Sequence, residues 1–425
     1  MKITSIVGAR PQFIKLAPLS RDRTTVANQE IKTRSTPQGL TRNYLTSLAS
    51  VVEIMNHNAN ESITSFLTGN YYPGKNKMTS ETRRNRTISQ WIAEIKQDPV
   101  FSPIIDSAPF QRLADISFLG AIDYLPMAAS LGKEPRTRFS HSLGVAGLAN
   151  CIATKRHYSP ELRGHLIAAA LLHDIGHAPL SHSVESYLKE SLGLDHHDIG
   201  AMIIDGKPEF SKSLHDHLEN NFDLSFIKSL IDRAVPEHDG GDLFAHKINI
   251  DTIDGIIRAC DCYLDYPNAL ERLDVAQAAF CSDREDRFSV LEHFWSLKNA
   301  VYKHLIHCKF SVLADSFSRS YFEYSRHLFS VEGALEDEEN WKIRYADLFR
   351  GLSGITRNID LFARYADTKA VYNGRNYWID GSATGNARFQ VSVEEKFYSF
   401  EGFEWRKLER VRGKKRKEKS ISHPA

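Results

Sequence analysis

The sequence predicts a mainly α-helical protein with a small C-terminal region of mixed α and β structure. Two apolar segments rich in small residues, 136–153 and 160–172, favour buried helices, and other segments carry apolar residues at helical spacing. The turn-forming pairs Asn373-Gly374 and Asp380-Gly381, beside strand-like residues such as 389–393, predict the β structure near the C-terminus.

The first residues of the chain, 1–21, read as a β-strand followed by a glycine-containing turn and a helix, an arrangement that suits phosphate binding. They resemble the first strand and loop of bacterial UDP-N-acetylglucosamine 2-epimerases. The further strand–helix units that the two domains of that family require do not follow. We therefore expect a borrowed N-terminal segment, either disordered or forming an added strand, and not an epimerase.

Residues 24–100 turn polar but retain two helical patterns. The first pattern is an apolar stripe formed by Leu45, Leu48, Val52 and Met55. The second pattern follows a basic linker and ends before Pro99.

The central part of the chain contains the small-residue helices. A helix is expected at 110–119, and Gly144 and Gly147 would let the helix of 136–153 approach another helix very closely. A further helix begins near residue 195. In the helix of 248–264, Asp254 and Arg258 have the i, i+4 spacing of an ion pair.

One or two long helices are expected at 291–329. Their residues Lys298, Tyr302 and Lys303 face either a pocket or, as is more common for spaced lysines, solvent. Helices at 341–352 and 355–366 precede the β structure. The basic tail, 406–425, is a solvating end or contacts nucleic acid or acidic partners.

The composition is that of an ordinary globular protein. With 425 residues, 42% hydrophobic residues and a formal net charge of +1, the chain shows no global attraction to nucleic acid or membranes. Five scattered cysteines without CxxC spacing favour neither a disulfide framework nor a thiolate zinc site. The longest apolar run, 166–172, is far shorter than the roughly 20 residues of a membrane helix. We expect a soluble protein of the cytoplasm.

The segment 171–182, LLHDIGHAPLSH, has the densest chemistry in the chain. If the preceding helix continues, His173 and His177 lie one turn apart on one face. Gly176 and Pro179 would loosen or end that helix and open a site beside it.

Four residues from three helical segments complete a candidate metal site: His141, the pair His173-Asp174, and Asp251. Two imidazoles and two carboxylates suit a divalent ion, which we expect to be Mn, Fe, Ni, Co, Zn or Mg, and leave positions for water and a phosphate oxygen. Metal-assisted hydrolysis is the chemistry that this set predicts.

Five linked motifs carry these residues, at 104–124, 138–149 (RFSHSLGVAGLA), 173–182 (HDIGHAPLSH), 195–201 (DHHDIGA) and 249–258 (NIDTIDGIIR). Over 101–324 the chain resembles the HD-domain metal-dependent phosphohydrolases. The resemblance is closer to the branch with the sterile-alpha-motif/HD dNTP triphosphohydrolases and bacterial dGTPases. It implies an HD helical core at 101–330. The N-terminal segment 1–23 and the helical extension and linker 24–100 precede this core. The C-terminal α+β region 331–405 and the tail 406–425 follow it.

The resemblance also implies roles for individual residues. The metal ligands would be His141, His173, Asp174 and Asp251. Arg138 would contact the phosphates or sugar of a nucleotide, and phosphate binding or acid–base catalysis would fall to His177, His182 and His197. His196 would be only a neighbour.

The implied reaction is attack of a metal-activated water on phosphorus. The metal and Arg138 would stabilise the developing charge, while a histidine protonates the leaving oxygen. For a dNTP the products would be a deoxynucleoside and triphosphate. The resemblance further suggests self-association.

Four positions depart from the triphosphohydrolase branch. Thr252 and Gly255 stand where that branch has a polyphosphate-binding lysine or arginine and a tyrosine, Phe118 replaces a glutamine and Asn249 an acidic residue, and residues 130–135 form an insertion. No metal ligand is lost, but the substrate stays open. Nucleoside monophosphates, cyclic nucleotides, and a non-catalytic module that senses nucleotides or nucleic acid are the alternatives.

Overall fold

The computed structural model describes residues 86–125, 136–263, 270–281, 285–324, 330–354 and 369–399. The epimerase-like segment, the stripe that begins at Leu45, the insertion at 130–135, the helix at 355–366 and the basic tail all lie outside the described residues. Within the described ranges the chain forms seventeen α-helices and one two-stranded sheet, which confirms the mainly α prediction. None of the helices in this part of the chain combines the length and the apolar character needed to cross a membrane.

The elements are numbered in chain order. The helices are α1 Ile88–Gln97, α2 Ser102–Asp106, α3 Ala108–Gln111, α4 Arg138–Lys155, α5 Pro160–Leu172, α6 His182–Leu192, α7 His196–Ile204, α8 Lys212–Asn221, α9 Leu224–Ile231, α10 Asp242–Ala245, α11 Ile250–Tyr263, α12 Arg272–Phe280, α13 Arg287–Val301, α14 Lys309–Tyr324, α15 Val331–Ala334, α16 Glu338–Arg344 and α17 Ala346–Ser353. The strands are β1 Lys369–Ile379 and β2 Phe389–Ser399.

Helix α4 lies at the centre of the fold. Thr137 caps its N-terminus by accepting a hydrogen bond from Ser140 N, and all its residues from His141 to Ala153 are buried. A Cβ at Gly144 would lie 2.1 Å from Asp254 Oδ1. The predicted close approach is therefore confirmed, with α11 as a partner of α4.

Helix α1 packs against another part of α4. Thr87 and Gln90 form a capping box at its start, and it ends before Pro99 as the sequence predicts. A Cβ at Gly147 would lie 2.9 Å from Ile88 Cδ1, so this glycine admits α1.

Helix α5 ends at Leu172 and does not continue through the HD motif. Its N-cap is Ser159, Pro160 occupies the first turn, and its apolar residues are buried. Residues 173–176 form a turn instead. A Cβ at Gly176 would lie 2.0 Å from His196 O and 2.3 Å from Gly200 N, so the glycine permits close contact between this turn and α7.

The helix expected at 110–119 is shorter than predicted. Helix α3 ends at Gln111, a 3-10 turn follows at Arg112–Asp115, and Ser117 then forms an isolated antiparallel bridge with Thr137. The prediction was wrong because this long-range pairing supplies backbone partners that compete with helical ones. The bridge brings residues 116–118 beside the start of α4.

The C-terminal β structure is a long hairpin. Strands β1 and β2 pair antiparallel from Lys369↔Ser399 to Ile379↔Phe389. Asp380-Gly381 lies in the connection, as expected, but Asn373-Gly374 lies inside β1, so a turn there was wrong. A Cβ at Gly374 would lie 2.8 Å from a carbon of the Lys396 side chain, which shows that this glycine accommodates a close cross-strand contact.

Two predicted helical segments are interrupted. The region 341–352 contains α16 and α17, which are separated at Tyr345, where φ is −115° and ψ is 40°. The region 291–329 contains α13 and α14, with a π-helical turn, Tyr302–Ile306, after α13. Such turns are frequent at functional sites.

Candidate metal centre and active site

The structure brings together the four residues predicted to be metal ligands. His141 Nε2 lies 3.2 Å from Asp251 Oδ1 and 3.6 Å from Asp174 Oδ2. His173 Nε2 lies 3.5 Å from Asp174 Oδ1 and 4.0 Å from Asp251 Oδ1. Donors that are each about 2.1 Å from one ion are about 3.0–4.2 Å apart. His141, His173 and Asp251 can therefore share one divalent ion, and Asp174 adjoins both imidazoles through its two oxygens.

The imidazoles are oriented for metal binding. His173 Nδ1 lies 2.8 Å from Ala170 O, so its N–H donates there and its Nε2 carries the free lone pair. This Nε2 is buried, and it has no hydrogen-bond partner among the described residues. His141 is held in the same sense, with Nδ1 2.7 Å from Asp254 Oδ2. A buried ring nitrogen without a hydrogen-bond partner, beside two carboxylates, fits the role of a metal ligand.

Asp254 is a site residue whose second role the sequence did not reveal. The predicted ion pair with Arg258 is confirmed at 2.8 Å, and Arg272 adds a second contact at 3.1 Å. The same carboxylate also orients His141. The available signal was its position three residues after Asp251, on the same face of α11.

Neighbouring charges shift the pKa values of the site residues. Burial lowers the pKa of His141, but hydrogen bonds to two aspartates outweigh this effect and raise the pKa to about 9. Burial raises the pKa of Asp174, yet His173 and Arg138 hold this pKa well below its usual range. The Asp251 side chain is 45% exposed, whereas that of Asp174 is 7% exposed. The site therefore opens to solvent beside Asp251.

Arg138 lies at the edge of the ligand set. Its Nη1 donates to Asp174 Oδ2 at 2.7 Å, and its Nε donates to Ser181 Oγ at 3.1 Å. Phe118, which replaces the expected glutamine, has its ring 5.2 Å from the guanidinium carbon and 5.0 Å from the His141 ring. The aromatic ring of Phe118 thus occupies the position where the amide of a glutamine was expected.

A second cluster contains the histidines of the motif and of α7. The His177 ring lies 4.5 Å from that of His182 and stacks on that of His196 at 4.2 Å. His197 lies next to His196, with ring centroids 4.1 Å apart. Three histidine nitrogens in this cluster, from His177, His182 and His196, all lie within 4.8 Å of one another. The structure therefore gives His196 a place in the cluster, whereas the sequence analysis gave it no role.

Glu185 connects two of these histidines and was not identified from the sequence. One carboxylate oxygen lies 2.5 Å from His182 Nδ1, and the other accepts a hydrogen bond from His196 Nδ1. The i, i+3 spacing of His182 and Glu185 in α6 was the available signal. Both imidazoles are thereby fixed with their Nε2 atoms left for other partners.

The histidines differ in their protonation. Burial and the nearby Arg138 hold the pKa of His177 well below its usual value. Burial also lowers the pKa of His196, but the hydrogen bond to Glu185 outweighs this effect and raises the pKa. Neighbouring groups with opposite shifts are typical of acid–base sites.

Asp174 joins the two clusters. Its Oδ2 faces Arg138 and His141, while its Oδ1 lies 3.2 Å from His177 Nε2. A phosphate next to the metal site would therefore also be next to the histidine cluster.

One departure from the family pattern, Asn249, has a structural role. Asn249 caps α11, because its side-chain oxygen accepts from Thr252 N at 2.7 Å.

Lys298 is only 7% exposed, so the expectation of a solvated face was wrong for it, whereas Lys303 is exposed. Burial lowers the pKa of Lys298 to about 7, although Asp251 raises it. Tyr302 is also buried.

Comparison with known proteins matches residues 138–264 to a family model described as HD domain. The chain is 33% identical over 155 residues to the uncharacterized protein MJ1154 of Methanocaldococcus jannaschii, covering 36% of this chain and 29% of that protein. It is 25% identical over 246 residues to the deoxynucleoside triphosphate triphosphohydrolase SAMHD1 homolog of Dictyostelium discoideum, covering 51% and 45%.

The Xenopus laevis deoxynucleoside triphosphate triphosphohydrolase SAMHD1 is 40% identical over 95 residues, covering 21% of this chain and 14% of that protein. The chain spans less than half the length of each of these relatives. The chain therefore contains an HD domain, at residues 138–264, and resembles the HD-domain phosphohydrolases of the SAMHD1 branch.

Proposed function

We propose that this protein is a metal-dependent phosphohydrolase that cleaves nucleotides by attack of water on phosphorus. The observation that carries the proposal is the position of Asp174, which adjoins the candidate metal ligands His141 and His173 and also His177. Metal ligands and candidate acid–base groups are thus close enough to act on one phosphate.

Each group of site residues has a proposed role in this reaction. When bound, the divalent ion would supply Lewis-acid polarisation of a phosphate oxygen and a water of lowered pKa. Arg138 would pair with phosphate oxygens, since its guanidinium lies beside the ligand set. The His182 and Glu185 pair would hold a proton for the leaving oxygen, with His177 and His196 binding phosphate beside it. His197 has its Nδ1 buried without a partner among the described residues, and we assign it to the same group.

We further propose dNTPs as the first substrates, with a deoxynucleoside and triphosphate as products. Support comes from the names of the Dictyostelium discoideum and Xenopus laevis relatives. Thr252 cannot grip a polyphosphate as a lysine would. Lys298, which interacts with the charge of Asp251, would take over that contact in its protonated form.

The absence of a lysine at Thr252 also favours the alternative that the substrate has a single phosphate, as in a nucleoside monophosphate or a cyclic nucleotide. A sensing module that binds nucleotide or nucleic acid without turnover would use the same pocket. We propose a cytoplasmic protein, with manganese as the first metal to test. Self-association and nucleic-acid contact through the basic tail are further proposals that rest on resemblance and composition.

A substrate screen tests the proposal. Protein purified with manganese is incubated with dNTPs, nucleoside monophosphates, cyclic nucleotides and short single strands, and products are separated by ion-exchange chromatography. We expect free triphosphate from a dNTP and its loss in His173→Ala and Asp174→Ala. The control is His238→Ala, since that side chain is 79% exposed and lies outside both clusters. Full activity in the two ligand variants would refute the assignment, and tight binding without products would favour the sensing module.

A further inference from the structure

A buried carboxylate outside the HD-domain match contacts the turn that precedes His182. Glu338 begins helix α16 and is 0% exposed. Its Oε2 accepts from Leu180 N at 3.0 Å, and its Oε1 accepts from the Tyr124 hydroxyl. A buried carboxylate is tolerated only when donors surround it, so its position and that of the turn depend on each other.

The same carboxylate also holds the segment that pairs with the start of α4. Ser117 donates to Glu338 Oε2 from both its backbone N and its Oγ, each at 3.0 Å. Glu338 therefore joins two loops of the site that are separate in the sequence. One precedes Arg138 and the other precedes His182.

The turn at Leu180 and Ser181 needs such support because its backbone is strained. Leu180 has φ 59° and Ser181 has φ 46°, values that residues other than glycine rarely adopt. Strained residues of this kind persist only where surrounding contacts hold them. Ser181 Oγ donates to Ser117 O at 2.7 Å and accepts from Arg138 Nε at 3.1 Å. The strained turn thus carries the hydroxyl that orients the guanidinium.

A second contact ties the other end of the motif loop to the same C-terminal segment. Arg112 Nη2 donates to Ile175 O at 2.8 Å, and its Nη1 donates to Glu336 O at 3.2 Å. The loop of residues 173–182 is therefore fastened to residues 336–338 at two places. This segment lies outside residues 138–264.

From these contacts we propose that Glu338 is a positioning residue for the active site. Through Leu180 N it fixes the turn on which Ser181 orients Arg138 and from which His182 enters α6. The inference rests on the proposed function, because Arg138 and His182 are the groups that would act on phosphate. It makes the segment that bears α16 part of the catalytic unit.

Three substitutions of Glu338 remove its hydrogen bonds to different extents. Glu338→Ala removes it, and Glu338→Asp keeps the charge but is one methylene too short to reach both loops. Glu338→Gln retains an oxygen for Leu180 and Ser117 and turns its amide toward Tyr124, whose hydroxyl oxygen can accept. The matched control is Glu339→Gln, whose side chain is 67% exposed and bonds only to Lys342 in the described residues.

Hydrogen exchange at Leu180 and Ser117, metal content, binding of inorganic tripolyphosphate and nucleotide turnover are measured for each variant. We expect exchange at Leu180 about tenfold faster in Glu338→Ala, the factor for one lost buried hydrogen bond. We expect kcat about 10- to 100-fold lower, with weaker tripolyphosphate binding and unchanged metal content. For exchange at Leu180 and for kcat, Glu338→Asp should give values between those of Glu338→Ala and the wild type. Glu338→Gln should be close to the wild type in both quantities.

Unchanged exchange at Leu180 in Glu338→Ala or Glu338→Asp would overturn the proposal. So would exchange that quickens equally in all helices together with loss of metal, since that result indicates general destabilisation. If Glu338→Ala does not fold, the other two variants decide. The proposal then requires slower exchange at Leu180 and a higher kcat in Glu338→Gln than in Glu338→Asp. If the wild-type protein turns over no nucleotide, the proposed function fails, whereas exchange and tripolyphosphate binding still test the role of Glu338.

Discussion

The Nδ1 atom of His141 lies 2.7 Å from Oδ2 of Asp254, and the two side chains are 1% and 0% exposed. The hydrogen bond fixes the ring of a candidate metal ligand with Nε2 toward Asp174 and Asp251. Helix α11 therefore supplies both a candidate ligand and the group that orients a candidate ligand from α4.

Asp254→Asn should weaken metal binding about 10- to 100-fold, because it disturbs the orientation and basicity of His141. It should also cost about 3–5 kcal/mol of unfolding free energy, since the buried Arg258 and Arg272 each lose a charged partner. Competition with a chelating dye and urea unfolding measure the two effects. The control Asp261→Asn also removes a partner of Arg272 but leaves His141 untouched. Metal affinity within about twofold of wild type in Asp254→Asn would contradict this role.

Glu185→Gln should lower kcat about 10²-fold while metal content stays unchanged, because its carboxylate fixes His182 and His196, which are not among the four candidate metal ligands. Steady-state kinetics and metal analysis of the same preparation test this. Glu190→Gln is a suitable control, since it lies in the same helix and pairs with Arg319. A fall in metal content that matched the fall in kcat would assign Glu185 to the metal centre instead.

Gly144→Ala should destabilise the protein by about 1–3 kcal/mol, because the added Cβ would lie 2.1 Å from Asp254 Oδ1 and overpack the contact between α4 and α11. Gly164→Ala provides the opposite case in α5. The nearest atom to its Cβ would be 3.6 Å away, so better helix propensity should stabilise by about 0.5–1 kcal/mol. Urea unfolding measures both, and equal effects of the two substitutions would argue against the close approach.

Lys298 should make stability depend on pH. Burial lowers its pKa from 10.5 to about 7, so between these values the unfolded chain binds the extra proton. The contribution of Lys298 to wild-type stability should therefore rise as pH increases from 7 toward 10.5 and be constant below 7. In Lys298→Met this slope should disappear. Urea midpoints at several pH values test the expectation, with exposed Lys303→Met as control, and an unchanged slope in Lys298→Met would contradict it.

The sequence by itself predicted the helical class and the candidate residues of the metal centre. Helices α4, α5 and α11 follow from apolar and small residues at helical spacing, which is a local property of the chain. His141, the pair His173-Asp174, and Asp251 could be selected because chemistry restricts which side chains bind divalent ions. The structure brings donor atoms of His141, His173 and Asp251 within 4.8 Å of one another, with Asp174 beside His141.

Only the tertiary structure decided which neighbours complete the site. Asp254, Glu185 and His196 face their partners because separate helices pack at set distances, and the spacing within one helix cannot reveal a contact with another. Glu338 reaches the Leu180 turn across 158 residues of sequence. Long-range pairing likewise ended the helix expected at 110–119 and buried Lys298. In each case a backbone or charged group takes the partner that the fold brings to it, and local sequence carries no record of that partner.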